Sequence, residues 1–129
     1  AGVRDAARAA RVDLHVVAGD GRVEGGARAV ASVPPSVTGI VCYNDLTAIG
    51  VMRGLRSVNR PVPEDVSLIG FDDIEMAAWT DPPLTTIRQP TEAMGRWAVE
   101  QLLSGATEAA SVHLEPELVV RGSTAPPSR

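Results

Sequence analysis

The 129-residue sequence has a single cysteine, one tyrosine, one phenylalanine, two tryptophans and no lysine. Cys42 has no partner for an intrachain disulfide, which fits a reducing cytosol. Aliphatic side chains must fill the core because aromatic ones are so few. No apolar run approaches the roughly 20 residues that span a bilayer, and no secretory signal is present. We therefore expect a cytoplasmic location and no membrane partner.

An excess of positive charge is also missing. The sequence has twelve basic residues, all arginine, and sixteen acidic ones, so the formal net charge is −4 at pH 7. Proteins that bind nucleic-acid phosphates carry clustered Lys and Arg, whereas these arginines are scattered among carboxylates. We expect no nucleic-acid surface on this chain.

Helical and strand-like patterns alternate along the sequence. The predicted helices cover residues 2–10, 23–33, 45–58, 74–79 and 90–103, the last closed by Gly105. The predicted strands cover residues 13–17, 39–43, 66–70, 84–88, 112–114 and 118–121. Strands that alternate with helices through short loops favour an α/β fold with a parallel sheet covered by helices.

Polar side chains follow the predicted strands at their carboxyl ends, where open parallel sheets bind ligands. They are Asp20, Asn44, Asp45, Asp72, Asp73, Arg88 and Gln89. A structural explanation exists for several of them. Asn44 is placed to cap the helix 45–58, Asp45 lies in its favourable first turn, and Asp73 would cap the short helix 74–79. The functional explanation is that these side chains converge on a cleft, where a carboxylate would accept hydrogen bonds from a sugar or nucleoside diol.

Residue patterns typical of an active site are missing. His15 lies inside a predicted strand and His113 near a terminal one, and neither has a nucleophile beside it. Cys42 lies in the most apolar strand, where a thiol usually fills the core. No metal-binding, phosphate-binding or hydrolase motif is present. We expect neither an enzyme nor a bound metal or cofactor.

Several segments taken together, in their order and spacing, resemble the LacI/GalR family of bacterial transcription regulators. They are 40–50 (IVCYNDLTAIG), 62–73 (VPEDVSLIGFDD), 83–90 (PLTTIRQP) and 118–124 (LVVRGST), with Gly95, Ala98, Leu102 and Leu103. The resemblance covers nearly the whole chain. It implies the C-terminal lobe of a periplasmic-binding-protein-like (type I) fold in a ligand-responsive regulator.

The resemblance also implies how the chain is divided. Residues 1–89 would be part of the C-terminal effector-binding lobe, and 90–105 a helix that returns to an N-terminal lobe outside this sequence. Residues 106–123 would be the closing strands of the C-terminal lobe and 124–129 a flexible tail. Because the sequence starts with Ala1 and enters in the middle of a predicted helix, it is expected to be a piece of a longer protein. Operator DNA would be contacted only through an N-terminal helix-turn-helix.

Carried over residue by residue, the resemblance makes Asn44, Asp72 and Gln89 the effector-binding residues, with Asp45 in a supporting role. The effector would be a small molecule, most simply a sugar. Gly21 stands near a position where several members have an aromatic platform, which argues against a stacked ring. A homodimer would form through Leu46, Ile49, Met52 and Trp79. The alternative is a lobe of a periplasmic sugar-binding protein; a hydrolase or dehydrogenase lacks the required residues.

Overall fold

The computed structural model describes residues 2–105 and 111–127 as an α/β arrangement. The helices are α1 (Gly2–Ala10), α2 (Val23–Ala29), α3 (Asp45–Ser57) and α4 (Thr91–Ser104), with short 3₁₀ helices at Val30–Ser32 and Glu75–Trp79. The strands are β1 (Gly39–Val41), β2 (Ser67–Ile69), β3 (Thr86–Arg88) and β4 (Glu117–Val119). Each predicted helix is present: α1 has the predicted bounds, the bounds of the others shift by a residue or two, and the end of 23–33 and the segment 74–79 are 3₁₀ helices.

The strands form two two-stranded sheets, β1 with β2 and β3 with β4, and isolated parallel bridges connect the two sheets. β1 and β2 are parallel, with Ile40 opposite Leu68. A parallel bridge between Ile69 and Thr85 joins β2 to the residue before β3. β3 and β4 are antiparallel, with Ile87 opposite Leu118. The predicted α/β class with a parallel sheet is therefore correct, and β4 adds an antiparallel edge strand to it, which is common in such folds.

The core lies between α3 and the sheet. Leu55 of α3 and Leu68 of β2 are completely buried, as are Val66 and Leu84 in the segments that lead into β2 and β3. α2 packs very closely on α3: a Cβ atom at Gly50 would lie 1.9 Å from the carbonyl oxygen of Val23. Only glycine permits this approach of the two backbones. The close contact holds the start of α3, and with it the end of β1, in a fixed position.

Helices α1 and α4 stand apart from this core, because neither has a buried residue. α4 ends at Gly105, which has the left-handed conformation (φ 64°) of a common helix terminus, as predicted. Among the helices of residues 2–105 and 111–127, none has the length and apolar character required to span a membrane.

Two predicted strands are wrong. Residues 13–17 and 112–114 have no regular secondary structure. The segment 13–17 is predicted to form a short buried strand, yet Val16 is exposed, and the segment and β1 both line a cavity of about 630 Å³. A polarity pattern reports which side chains favour burial, but a strand also needs a neighbouring backbone within hydrogen-bonding distance. Residues 106–110, the start of the predicted closing segment, lie outside the described residues.

Candidate binding site at the strand ends

The candidate site lies at the carboxyl ends of β1, β2 and β3. Two backbone hydrogen bonds bring these ends together: Asp45 N–H donates to the Phe71 carbonyl at 2.8 Å, and Asp72 N–H donates to the Ile87 carbonyl at 2.9 Å. Asn44 at the end of β1 and Gln89 at the end of β3 consequently flank the loop that holds Asp72. The predicted convergence of polar residues follows from this parallel arrangement.

Asn44 caps α3, which confirms the structural explanation of this residue. Its Oδ1 accepts hydrogen bonds from the Thr47 N–H at 2.9 Å and from the Thr47 hydroxyl at 2.7 Å. Its Nδ2 donates to the Gly21 carbonyl at 3.0 Å, which ties the loop after residue 20 to the end of β1. A side-chain amide has two N–H donors. The second one is the group that Asn44 can offer to a ligand.

Asp45 lies inside the protein, beneath the strand ends. It is completely buried. One carboxylate oxygen accepts a hydrogen bond from the Thr86 hydroxyl at 2.5 Å, and the other accepts from the Ile74 N–H at 2.9 Å. A Cβ at Gly70 would lie 2.1 Å from this carboxylate, so the backbone directly after β2 passes closely over it. Asp45 thus joins α3 to β3 and to the loop after β2, and its carboxylate has no access to a ligand.

Asp72 offers the carboxylate best placed for a ligand. Its backbone is in the left-handed region (φ 113°), and its side chain is partly exposed. Gln89 Nε2 donates a hydrogen bond to Asp72 Oδ1 at 2.6 Å, so two of the predicted effector-binding residues are in direct contact. Within residues 2–105 and 111–127, no donor reaches the second carboxylate oxygen. That oxygen is free to accept a hydrogen bond from a hydroxyl group.

The predicted role of Asp73 as a helix cap is wrong. The 3₁₀ helix Glu75–Trp79 has no side-chain cap, and the N–H of Ile74 is bound by Asp45 instead. Asp73 accepts hydrogen bonds from Arg88 Nε at 2.7 Å and from Arg121 Nη2 at 2.6 Å. Burial by itself would raise the pKa of this carboxyl, but the hydrogen bonds from Arg121 and Arg88 outweigh it and hold the pKa below its ordinary value. Asp73 is therefore an ionised anchor between two arginines.

Sequence reasoning missed two features near this site. Tyr43, directly before Asn44, is 82% exposed and lies beside Gly21, which has a φ of 75°. Its only sequence signal was an aromatic residue at the end of an apolar strand. Arg121 lies in the 118–124 motif without a local signal of a role at the site, and its guanidinium reaches Asp73 from 48 positions away in the chain.

Reactive groups are not part of this arrangement. Burial raises the pKa of the Cys42 thiol to about 12, and the nearby negative charge of Asp45 adds to the effect. The thiol stays protonated at neutral pH and fills the core, as predicted. Within the described ranges, no three His, Cys, Asp or Glu side chains are grouped so that they could hold a metal ion.

Comparison with known proteins identifies the class. A sequence profile of the periplasmic-binding-protein-like domain matches residues 1–124. The chain therefore belongs to that family. The HTH-type transcriptional regulator MalR of Streptomyces coelicolor is 48% identical over 108 residues, which cover 80% of this chain and 31% of the relative. The chain thus spans about a third of the length of the curated relatives it matches.

Solved structures show the same relationship. A LacI-family transcriptional regulator from Enterococcus faecium with bound ribose superimposes with a TM-score of 0.86 at 31% identity, over 97% of this chain and 50% of that one. The regulator CelR in complex with cellobiose gives a TM-score of 0.84 at 35% identity, over 95% of this chain and 40% of that one. The LacI/GalR resemblance predicted from the motifs is confirmed.

Proposed function

We propose that this chain is the effector-sensing lobe of a ligand-responsive transcriptional regulator whose effector is a sugar or a similar small polyol. The observation that carries the proposal is the Asp72 carboxylate at the strand ends, with one oxygen bound by Gln89 and the other available. Two of the similar regulators have ribose and cellobiose bound in their solved structures.

The chemistry of the site suits a diol. An ionised carboxylate accepts charge-assisted hydrogen bonds from neighbouring hydroxyl groups. Gln89 fixes the orientation of the Asp72 carboxylate, and the remaining N–H of Asn44 can donate to a hydroxyl oxygen. An acceptor from one strand end and a donor from the next match the hydrogen-bonding pattern of adjacent sugar hydroxyls.

Calorimetry on the full-length protein that carries this chain tests the proposal, with ribose, cellobiose and lactose as the probes. Asp72→Asn should weaken binding of the accepted sugar by roughly 10- to 150-fold, because one charge-assisted hydrogen bond is worth about 1.5–3 kcal/mol. Asp65→Asn is the matched control, since Asp65 is an exposed acid in the loop before β2. Equal, small effects of the two variants, or no heat with any of the sugars, would contradict the proposal.

We further propose that the protein is a homodimer through the surface formed by Leu46, Ile49, Met52 and Trp79. Leu46 is 38% and Trp79 is 80% exposed, while Ile49 and Met52 are partly exposed on the same helix. Large exposed apolar side chains of this kind favour association. Trp79→Asp should shift the sedimentation of the full-length protein towards the monomer. Val120→Asp, at an exposed position directly after β4, should leave it unchanged.

The division of the chain leads to a further part of the proposal. α4 has no buried residue, and Leu102 and Leu103 are more than 80% exposed. The chain covers about half of the solved regulators it matches. We propose that α4 packs on a lobe of the full-length protein that lies outside this chain. Leu102→Asp should then lower the melting temperature of the full-length protein and leave that of the 129-residue chain unchanged.

In this proposal the protein acts in the cytoplasm, without catalysis, and reaches operator DNA through a segment outside this chain. The named relatives are transcriptional regulators, which supports this function over that of a periplasmic sugar-binding protein.

A further inference from the structure

We infer that Asp73 is a positioning residue for the effector site: its ion pairs with Arg88 and Arg121 hold the Asp72 carboxylate in its binding orientation. The inference rests on the proposed function of Asp72. It assigns a binding role to a residue that does not itself need to touch the ligand. Asp73, Arg88 and Arg121 together form the Asp73 cluster.

The backbone at this point is strained. Asp72 and Asp73 have φ values of 113° and 55°, so two consecutive residues with side chains are in the left-handed region. A non-glycine residue with positive φ is uncommon, and it persists only where the surroundings hold it in place. An unrestrained loop would relax to negative φ values and would carry the Asp72 side chain away from its present position.

The Asp73 cluster supplies this restraint from inside the lobe. The Asp73 side chain is only 8% exposed, and its two carboxylate oxygens are each bound to a different arginine. Arg121 is fixed in turn, because its Nη1 donates to the Leu84 carbonyl at 2.8 Å and its backbone N–H donates to the Thr85 hydroxyl at 2.9 Å. The loop after β2 is thereby tied to the segment before β3 and to the segment after β4.

The cluster acts on Asp72 through two routes. The first is the backbone, because Asp73 directly follows Asp72. The second is β3: Arg88 is paired with Asp72 in a parallel bridge, and the next residue, Gln89, donates to Asp72 Oδ1. Breaking the cluster should therefore loosen both the Asp72 backbone and the side chain that orients its carboxylate.

A double-mutant cycle in the full-length protein tests this, with calorimetric affinity for ribose, cellobiose and lactose as the readout. Asp73→Asn places an amide N–H against one of the arginines and breaks that contact. It should weaken binding of the accepted sugar about tenfold, a coupling typical of residues in one hydrogen-bond network. In the Asp72→Asn background the same change should have almost no effect. An equal loss in both backgrounds would overturn the inference, because Asp73 would then act independently of Asp72.

Glu117→Gln is the matched control. Glu117 pairs with Arg88 at 3.0 Å on the exposed side of the cluster, so its loss leaves both Asp73 contacts in place. Affinity should be unchanged. If Asp73→Asn does not fold, Arg88→Gln takes its place in the cycle, since Arg88 is half exposed and forms only one of the two Asp73 pairs. Arg88→Gln should weaken sugar binding by less than Asp73→Asn does, and it should have almost no effect in the Asp72→Asn background. Equal losses of affinity in the two backgrounds would again overturn the inference.

A measurement without ligand separates this inference from the proposed function. If the unmodified protein binds none of the three sugars, the proposed function fails, and amide hydrogen exchange alone decides about Asp73. Asp73→Asn should accelerate exchange at Asp72, whose N–H donates to Ile87, and at Ile74, whose N–H donates to Asp45. The Ala48 amide in α3 should be unaffected. Uniform acceleration, or no acceleration, would show that Asp73 does not position this loop.

Discussion

Replacing Asp45 with alanine should destabilise the chain more than any change at an exposed carboxylate. The side chain is completely buried, and it accepts hydrogen bonds from the Thr86 hydroxyl and the Ile74 N–H. Asp45→Ala removes both acceptors and leaves the Ile74 N–H without a partner inside the fold. A buried donor without an acceptor loses its hydration and gains nothing in return.

The magnitude follows from these two contacts. A hydrogen bond to a charged group contributes about 1.5–3 kcal/mol, and breaking a buried charged network typically costs about 3–5 kcal/mol. For a chain of this length, 1 kcal/mol corresponds to roughly 3–5 °C in melting temperature. We expect Asp45→Ala to lower the melting temperature by about 10–20 °C.

Thermal unfolding followed by circular dichroism at pH 7 measures this effect in a graded series. Asp45→Asn should cost less, because its remaining oxygen can accept from Ile74 while its new N–H donates to the Thr86 hydroxyl, which can also act as an acceptor. Thr86→Val removes only one of the two contacts and should also cost less than Asp45→Ala. Glu24→Ala, at an exposed acid in the first turn of α2, is the control and should change stability by less than about 0.5 kcal/mol.

Two results would refute the reasoning. A melting temperature for Asp45→Ala within a few degrees of the Glu24→Ala value would mean that the buried contacts contribute little. A loss for Asp45→Asn as large as that for Asp45→Ala would mean that the negative charge, and not the hydrogen-bond geometry, is what the fold requires.

Three further predictions follow from other contacts. Asn44→Ala should lower stability by about 0.5–2 kcal/mol through loss of the α3 cap, and should also weaken sugar binding; a stability loss with unchanged affinity would leave only the cap. Folding lowers the pKa of Asp73, so the ion pairs of its carboxylate stabilise the fold above the ordinary pKa of 3.8. This stabilisation is lost as the pH falls below that value. The melting temperatures of the unmodified chain and Asp73→Asn should therefore converge between about pH 5 and pH 2. With its net charge of −4, the 129-residue chain should produce no gel shift with operator DNA even at low salt, and a salt-sensitive shift would contradict this.

The local sequence determined the helices and the position of the candidate site. α1 has the predicted bounds Gly2–Ala10, and Asn44 caps α3 as its position before the helix indicated. Helix periodicity and caps depend on residues within about four positions of each other, so a single sequence carries this information. The placement of Asp72 and Gln89 near each other also followed from the sequence, because the carboxyl ends of parallel strands lie at one edge of a sheet.

Only the tertiary structure decided the roles of Asp45 and Asp73 and the state of residues 13–17. The hydrogen-bond partner of Asp45 is Thr86, which lies 41 positions away in the sequence. The partner of Asp73 is Arg121, which lies 48 positions away, and no local pattern encodes such pairs. Residues 13–17 are predicted as a strand, yet they have no regular secondary structure, and they and β1 line the same cavity. Strand pairing and ion pairing at long range depend on which backbone and side-chain groups packing brings within hydrogen-bonding distance, and that is a property of the folded chain.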